Sequence, residues 1–88
     1  MEFKEGMVAF SKAGHDAGSY YLVVRCRDGF CWIADGRRRK LGLPKRKNQL
    51  HLAKTGQQFS LAEVTSDRKL RQLLLPLNTA AKPNEDGR

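Results

Sequence analysis

Long apolar runs are missing from this chain of 88 residues, which argues against a protein that spans a membrane with helices. The longest runs, such as residues 20–24, have five residues, against the roughly 18 or more that a membrane-spanning helix needs. The N-terminal residues lack the apolar core of a signal peptide, so we expect a cytoplasmic protein with no membrane partner. Cysteine is also scarce. In a reducing compartment we expect Cys26 and Cys31 to be free thiols rather than zinc ligands.

Catalytic groupings are equally scarce. His15 and Asp16 are adjacent, but successive side chains seldom converge and no nucleophile is spaced to join them. The glycines of residues 14–18 match neither the P-loop nor the dinucleotide-binding fingerprint. A chain of this length allows one small domain without a deep catalytic cleft. We therefore expect no enzyme activity, no catalytic residue, no metal or cofactor and no small-molecule substrate.

Acidic residues are absent from residues 37–47, and this segment carries nearly all of the net charge of +8. The remaining 77 residues hold ten basic and nine acidic side chains, so they are almost neutral. A concentration of like charge repels itself unless a polyanion offsets it, although a solvated face is the alternative interpretation. Seven basic residues form this segment and are the expected phosphate contacts: Arg37, Arg38, Arg39, Lys40, Lys45, Arg46 and Lys47.

Short apolar runs separated by glycine turns predict a small β structure. Asp28-Gly29 is typical of a two-residue type I′ hairpin turn, and Asp35-Gly36 marks a second turn. We expect strands at about residues 6–11, 19–27, 30–35 and 37–43 and a fifth at residues 50–53, ended by Gly56. Continuing the register past Asp35 would bury two cations, so the fourth strand is bulged or very short, or its turn has three residues.

The Asp28-Gly29 turn also fixes which side chains share a face. It pairs Arg27 with Phe30, Cys26 with Cys31, Arg25 with Trp32 and Val24 with Ile33. The apolar face predicted to point to the core holds Leu22, Val24, Cys26, Cys31 and Ile33. The opposite face is aromatic and basic, and holds Tyr21, Val23, Arg25, Arg27, Phe30 and Trp32. This second face either packs its arginine stems over the rings or stacks RNA bases on Tyr21, Phe30 and Trp32.

The C-terminal third predicts helix. Ser60 and Glu63 fit a capping box around a short turn. A longer helix is expected from residue 67 to residue 75, capped by Thr65 or Ser66 and stopped by Pro76. One face of this helix carries a leucine stripe, which consists of Leu70, Leu73, Leu74 and Leu77. This stripe is expected to pack on the sheet or on a partner. Residues 78–88 have no apolar side chain larger than alanine and are expected to be an unstructured tail.

The segment GMVAFSKAGHDAGSYYLVV at residues 6–24 resembles the KOW motif of ribosomal proteins and transcription elongation factors. Further along, Ala34-Asp35-Gly36, Arg39-Lys40-Leu41, residues 44–48 and His51-Leu52 look like the small bacterial KOW-domain RNA-binding proteins. Those proteins are similar to a KOW-bearing ribosomal protein family of the archaeal and eukaryotic large subunit. The resemblance covers about residues 3–75.

This resemblance implies a mainly β fold, a small SH3-like barrel of about five short strands at residues 1–55. From the residues themselves we expect a helical extension at residues 56–77 to pack on the barrel and residues 78–88 to form the tail. The expected function is non-catalytic binding of ribosomal RNA or the ribosome. When it is not bound, the protein is expected to be a monomer. Many KOW sequences have a basic residue just before the second glycine of this loop, whereas this chain has Ala17 there. The RNA-binding candidates are the seven basic residues with Lys12, Gly14, His15, Gly18 and Arg25. The alternatives are DNA, or a peptide held on the aromatic face.

Overall fold

A computed structural model describes residues 2–80 of the chain. Its five strands are β1 (Met7–Ser11), β2 (Tyr20–Arg27), β3 (Phe30–Ala34), β4 (Lys45–Asn48) and β5 (Leu52–Gln58). Two short 3₁₀ turns lie at Gln49–His51 and Leu61–Glu63, and one helix, α1, spans Asp67–Ala80. The prediction of a mainly β protein with a C-terminal helical segment is therefore confirmed.

The five strands form one antiparallel sheet in the order β4-β3-β2-β1-β5. Within residues 2–80, β4 and β5 are the two edges and are not paired with each other, so the sheet is open. The expected closure into an SH3-like barrel is not confirmed, because the hydrogen-bonded ladder does not join its ends.

The hairpin of β2 and β3 follows the predicted register only near its turn. Asp28 and Gly29 both have positive φ, at 51° and 82°, as a type I′ turn requires. Beyond Arg25 a β-bulge shifts the register, so that Val23 rather than Val24 pairs with Ile33. The predicted division of faces is therefore wrong beyond the bulge. Because one extra residue reverses the alternation, Val23 lies in the core and not on the outer face.

Both faces of the sheet are buried near its centre, which accounts for the uninterrupted apolar run in β2. One face holds a core that includes Phe3, Tyr21 and Ile33. The other face carries Val8, Leu22 and Ala34 beneath helix α1. A strand buried on both sides needs consecutive apolar residues rather than an alternating pattern. The predicted leucine stripe covers this second face: Leu70 and Leu74 are buried, with Leu73 and Leu77 packed beside them.

The basic segment begins as a loop and not as the strand predicted at residues 37–43. We call residues 35–44 the basic loop. Asp35 organises it, because its Oδ1 accepts hydrogen bonds from the backbone N–H groups of Arg37 and Arg39, both at 2.9 Å. The backbone N–H groups of Asp35 and Gly36 donate in turn to the Arg39 carbonyl. This compact turn keeps Arg38 and Lys40 exposed, so neither cation enters the core.

The end of β5 and the turn that follows it differ in detail from the prediction. β5 continues through Gly56 to Gln58, so the glycine does not end the strand. The short turn predicted around Ser60 is present at Leu61–Glu63, but the Ser60 side chain makes no capping hydrogen bond. The cap of α1 is Ser66, whose Oγ accepts from the Lys69 N–H at 3.1 Å.

Helix α1 does not stop at Leu75, because it continues through Pro76 to Ala80. Proline in a helix removes one hydrogen bond and crowds the preceding turn, so this extension needs compensation. Asn78 provides it: its Oδ1 accepts from the Tyr20 N–H at 2.7 Å and its Nδ2 donates to the Tyr20 carbonyl at 3.3 Å. The predicted tail is therefore wrong at residues 78–80, and its remainder, residues 81–88, lies outside the described residues.

The basic loop is fastened to the first turns of helix α1. Asp67 Oδ1 accepts a 2.7 Å hydrogen bond from the Leu41 N–H, and Arg71 Nη1 donates to the Gly36 carbonyl at 2.8 Å. Gly36 has φ +82°, and a Cβ atom at this position would collide with the Asp67 carbonyl oxygen. Glycine is therefore required here for close approach as well as for backbone conformation.

A pair of glycine substitutions separates these two requirements. Gly56 also has φ +82° but has open space where a Cβ would lie. Gly56→Ala is expected to lower the free energy of unfolding by about 1 kcal/mol through backbone strain alone. Gly36→Ala should lose about 2–4 kcal/mol because the loop must also move off the helix. Urea unfolding of both variants measures the difference, and equal losses would show that the loop and helix are not in close contact.

Candidate functional site

A buried carboxylate joins the loop between β1 and β2 to the basic residues. We call residues 12–18 the glycine loop. Its Asp16 has a side chain only 1% exposed and contacts Arg39, with Nε at 3.1 Å from Oδ1 and Nη2 at 3.3 Å from Oδ2. Lys47 Nζ lies 3.6 Å from Oδ2, and the Tyr21 hydroxyl donates to Oδ1 at 3.4 Å. Sequence reasoning missed this cluster, because Asp16 had no spacing that tied it to either cation.

The charges of this cluster shift the titration of its members. Burial alone would raise the pKa of Asp16, but the hydrogen bond and charge of Arg39 and the charge of Lys47 outweigh it and lower the pKa. Burial and the neighbouring carboxylates of Asp16 and Asp35 raise the pKa of Tyr21 to about 12. Asp16 therefore remains ionised and Tyr21 remains a neutral hydrogen-bond donor at neutral pH.

The cluster divides the seven basic candidates into two groups. Lys47 is buried and the Arg39 side chain is 28% exposed, so both neutralise Asp16 inside the protein. Within residues 2–80, no acidic side chain lies within 4 Å of the charged nitrogens of the other five. We call these five the exposed cations, and all of them face solvent: Arg37, Arg38, Lys40, Lys45 and Arg46.

The two glycines of the glycine loop serve different purposes. Gly14, at φ +83°, leaves room for Lys47, whose Nζ would lie 2.8 Å from a Cβ at that position. Its close approach is therefore to the protein's own buried lysine. Gly18, at φ +93°, has no atom within 4 Å of the corresponding position. Gly18 is exposed, as are the predicted contacts Lys12 and His15, so this part of the loop is accessible to a ligand.

The predicted aromatic and basic face is present at the turn end of the hairpin. The Arg25 guanidinium carbon lies 4.8 Å from the Trp32 ring centroid, and that of Arg46 lies 4.8 Å from the Phe30 ring centroid. We call these four residues the aromatic-basic surface. Both rings are half-buried and the arginines are exposed. Tyr21 does not belong to this surface, because it is 1% exposed and holds Asp16, so it has no ring face free for a base.

The two cysteines lie side by side across the hairpin, as the register predicts. Their Sγ atoms are 3.8 Å apart and both thiols are free. Burial and the adjacent Cys26 raise the pKa of Cys31 to about 12, and burial also raises the pKa of Cys26. Neither group is a reactive thiolate at neutral pH.

No protein-family model and no curated protein matches the chain. No helix in the described part of the chain is both long and apolar enough to cross a membrane. Among the same residues, no three His, Cys, Asp or Glu side chains are grouped as metal ligands would be. The exposed cations and the aromatic-basic surface are therefore the features that indicate what the site can bind.

The Asp16 cluster makes stability depend on pH. Because folding lowers the pKa of Asp16, its stabilisation is complete above its ordinary value of 3.8 and declines as the pH falls below it. Asp16→Asn is expected to lower the free energy of unfolding by about 3 kcal/mol at pH 7, because two cations lose their buried partner. The deficit should shrink on acidification below about pH 4.

Asp28→Asn is the matched control, because the Asp28 side chain is 86% exposed. Chemical unfolding at several pH values compares the two variants. A deficit for Asp16→Asn that stayed constant down to pH 2 would contradict an ionic role for this carboxylate.

Proposed function

We propose that this protein is a non-catalytic RNA-binding module of the KOW type, cytoplasmic and associated with ribosomal RNA or the ribosome. The observation that carries the proposal is the group of five exposed cations, unpaired within the described residues, on one loop and the strand that follows it. Arg46 belongs both to this group and to the aromatic-basic surface. Phosphate-binding and base-stacking groups therefore adjoin each other, an arrangement typical of proteins that bind single-stranded RNA.

The arrangement of residues 6–24 supports the KOW interpretation. They form strand β1, the glycine loop and strand β2, paired antiparallel through Val8 with Leu22 and Phe10 with Tyr20. This is the strand, glycine-containing loop and strand that the resemblance implies. We further propose that the five strands correspond to those of an SH3-like domain, with the glycine loop and the basic loop on its RNA-binding side. Asp16 supports this proposal because it ties the two loops together.

The proposed mechanism separates docking from base contact. The exposed cations attract the RNA backbone and release its counterions, which gives affinity without sequence preference. Trp32 and Phe30, with Arg25 and Arg46 against their rings, then offer flat surfaces on which an unpaired base stacks. A nucleotide gains more from this surface than a neutral peptide does, because the two guanidinium groups over the rings attract its phosphate and can also stack on its base.

Salt dependence tests the electrostatic step. If the exposed cations reach phosphates, log K for a single-stranded RNA should fall against log salt with a slope of about −3 to −5. Replacing Arg37, Arg38 and Lys40 with Ala should reduce that slope by about 2, because each lost phosphate contact removes about 0.7. The matched control replaces three exposed lysines elsewhere, Lys4, Lys54 and Lys69, with Ala. Equal effects of the two triple variants, or a wild-type slope near zero, would refute docking by this loop.

The single tryptophan of the chain, Trp32, reports on base stacking directly. An oligouridylate should quench its fluorescence, whereas an abasic oligomer of equal length should bind through phosphates with little quenching. Trp32→Ala should weaken oligouridylate binding by about 1–3 kcal/mol, and Trp32→Phe should retain most of the affinity. Equal quenching by both oligomers would rule out stacking on this ring.

A further inference from the structure

A cleft of about 430 Å³ lies between the basic loop and helix α1. We call it the arginine cleft, because Arg37 from the loop and Arg68 and Arg71 from the helix line it. Its helical wall also presents Gln72 and Leu75. None of the three helical residues Arg68, Arg71 and Gln72 belongs to the RNA contacts that sequence reasoning identified. The cleft therefore brings together two parts of the chain that are far apart in the sequence.

The electrostatic balance of the cleft favours an anion. Its three arginines face a single acidic residue, Asp35, whose Oδ1 already accepts two backbone hydrogen bonds. Within residues 2–80, no carboxylate lies within 4 Å of the three guanidinium groups. Arg71 donates one N–H to the Gly36 carbonyl, which orients its guanidinium group and leaves other N–H donors for a ligand.

The remaining lining fits a nucleotide better than a bare ion. The volume falls within the range of pockets that hold small organic ligands. Leu75 is 59% exposed and supplies an apolar contact for a sugar or base, and the exposed Gln72 amide both donates and accepts hydrogen bonds. A phosphate at the arginines with a base toward Leu75 uses each of these groups.

We propose that the arginine cleft binds one phosphate-bearing nucleotide of the RNA, so that helix α1 is part of the RNA-binding surface. This inference rests on the proposed function and assigns a site to it. A second cavity of about 190 Å³ shares Asp35, Arg37 and Asn78 with the cleft and adds Ser19, Tyr21 and Arg38. Because Ser19 directly follows Gly18, the two cavities lead from helix α1 past the basic loop to the accessible end of the glycine loop.

A pair of adjacent substitutions on helix α1 tests the site. Arg68 and Lys69 are both exposed, but only Arg68 lines the cleft. Arg68→Gln is expected to weaken binding of a single-stranded RNA about tenfold, the usual effect of losing a hydrogen bond to a charged group. Lys69→Gln removes the same charge outside the cleft and should change the affinity less than twofold. Arg71 is not substituted, because its hydrogen bond to Gly36 also holds the basic loop in place.

Titration with uridine monophosphate, followed by NMR, provides an independent measurement. Binding in the cleft should shift the Gln72 side-chain amide and the Arg68 Nε resonance of the wild-type protein, and Arg68→Gln should abolish the Gln72 shift. The two experiments also distinguish RNA from a free nucleotide as the natural source. An RNA effect of Arg68→Gln without mononucleotide shifts favours a nucleotide within the polymer.

The outcomes separate this inference from the proposed function. Equal RNA affinities for Arg68→Gln and Lys69→Gln would overturn the nucleotide site in the RNA surface, while strong salt-dependent wild-type binding left the proposed function intact. Mononucleotide shifts at Gln72 together with a wild-type salt slope near zero would support the cleft as a nucleotide site and reject RNA docking. Neither shifts nor any RNA binding would reject both.

Discussion

The Asp16 carboxylate is the interaction on which the arrangement of the site depends. It is buried, and a buried carboxylate stays ionised only when charged partners and hydrogen bonds compensate for its lost hydration. Arg39 comes from the basic loop and Lys47 from strand β4, so one anion fixes the glycine loop against both parts of the basic segment. Once two positive charges turn inward to Asp16, the five remaining ones are held on the outside of the same loop and strand.

Much of the fold follows from short-range sequence signals, and the corrections have tertiary causes. The Asp28-Gly29 turn fixes the pairs closest to it, because the backbone conformation of a two-residue turn determines the local register. The bulge at Val24 is different. It allows Val23 to enter the core while Arg25 stays in solvent. The bulge could not be predicted from the alternation of the strand, because it is explained only by the burial of both faces of the sheet. The continuation of α1 past Pro76 likewise depends on Asn78 contacting Tyr20, which is 58 residues away in the chain.

The position of the basic segment could be predicted from the sequence, but the division of its cations between the core and the surface could not. Seven basic residues without an acid mark the segment, yet their charge cannot show that Lys47 is a core residue and that Lys40 is not. That distinction depends on Asp16, which the sequence presents only as a residue beside a histidine in a glycine-rich loop. The same limit applies to the arginine cleft. Arg68 and Arg71 are ordinary helical cations until the fold places them opposite Arg37.

The backbone hydrogen bonds around Asp35 have a consequence for conformational entropy. A flexible basic loop loses much of its backbone freedom when it binds. The loss of conformational entropy costs roughly 1–2 kcal/mol for each residue that becomes ordered. Here Asp35 holds the backbone of Arg37 and Arg39, and Asp67 holds that of Leu41, before any ligand is present. The backbone that carries these like charges is therefore already ordered in the folded protein, and the free-energy cost of bringing the charges together has been compensated during folding. An anion that arrives finds the cations preorganised and gains attraction while ordering only side chains.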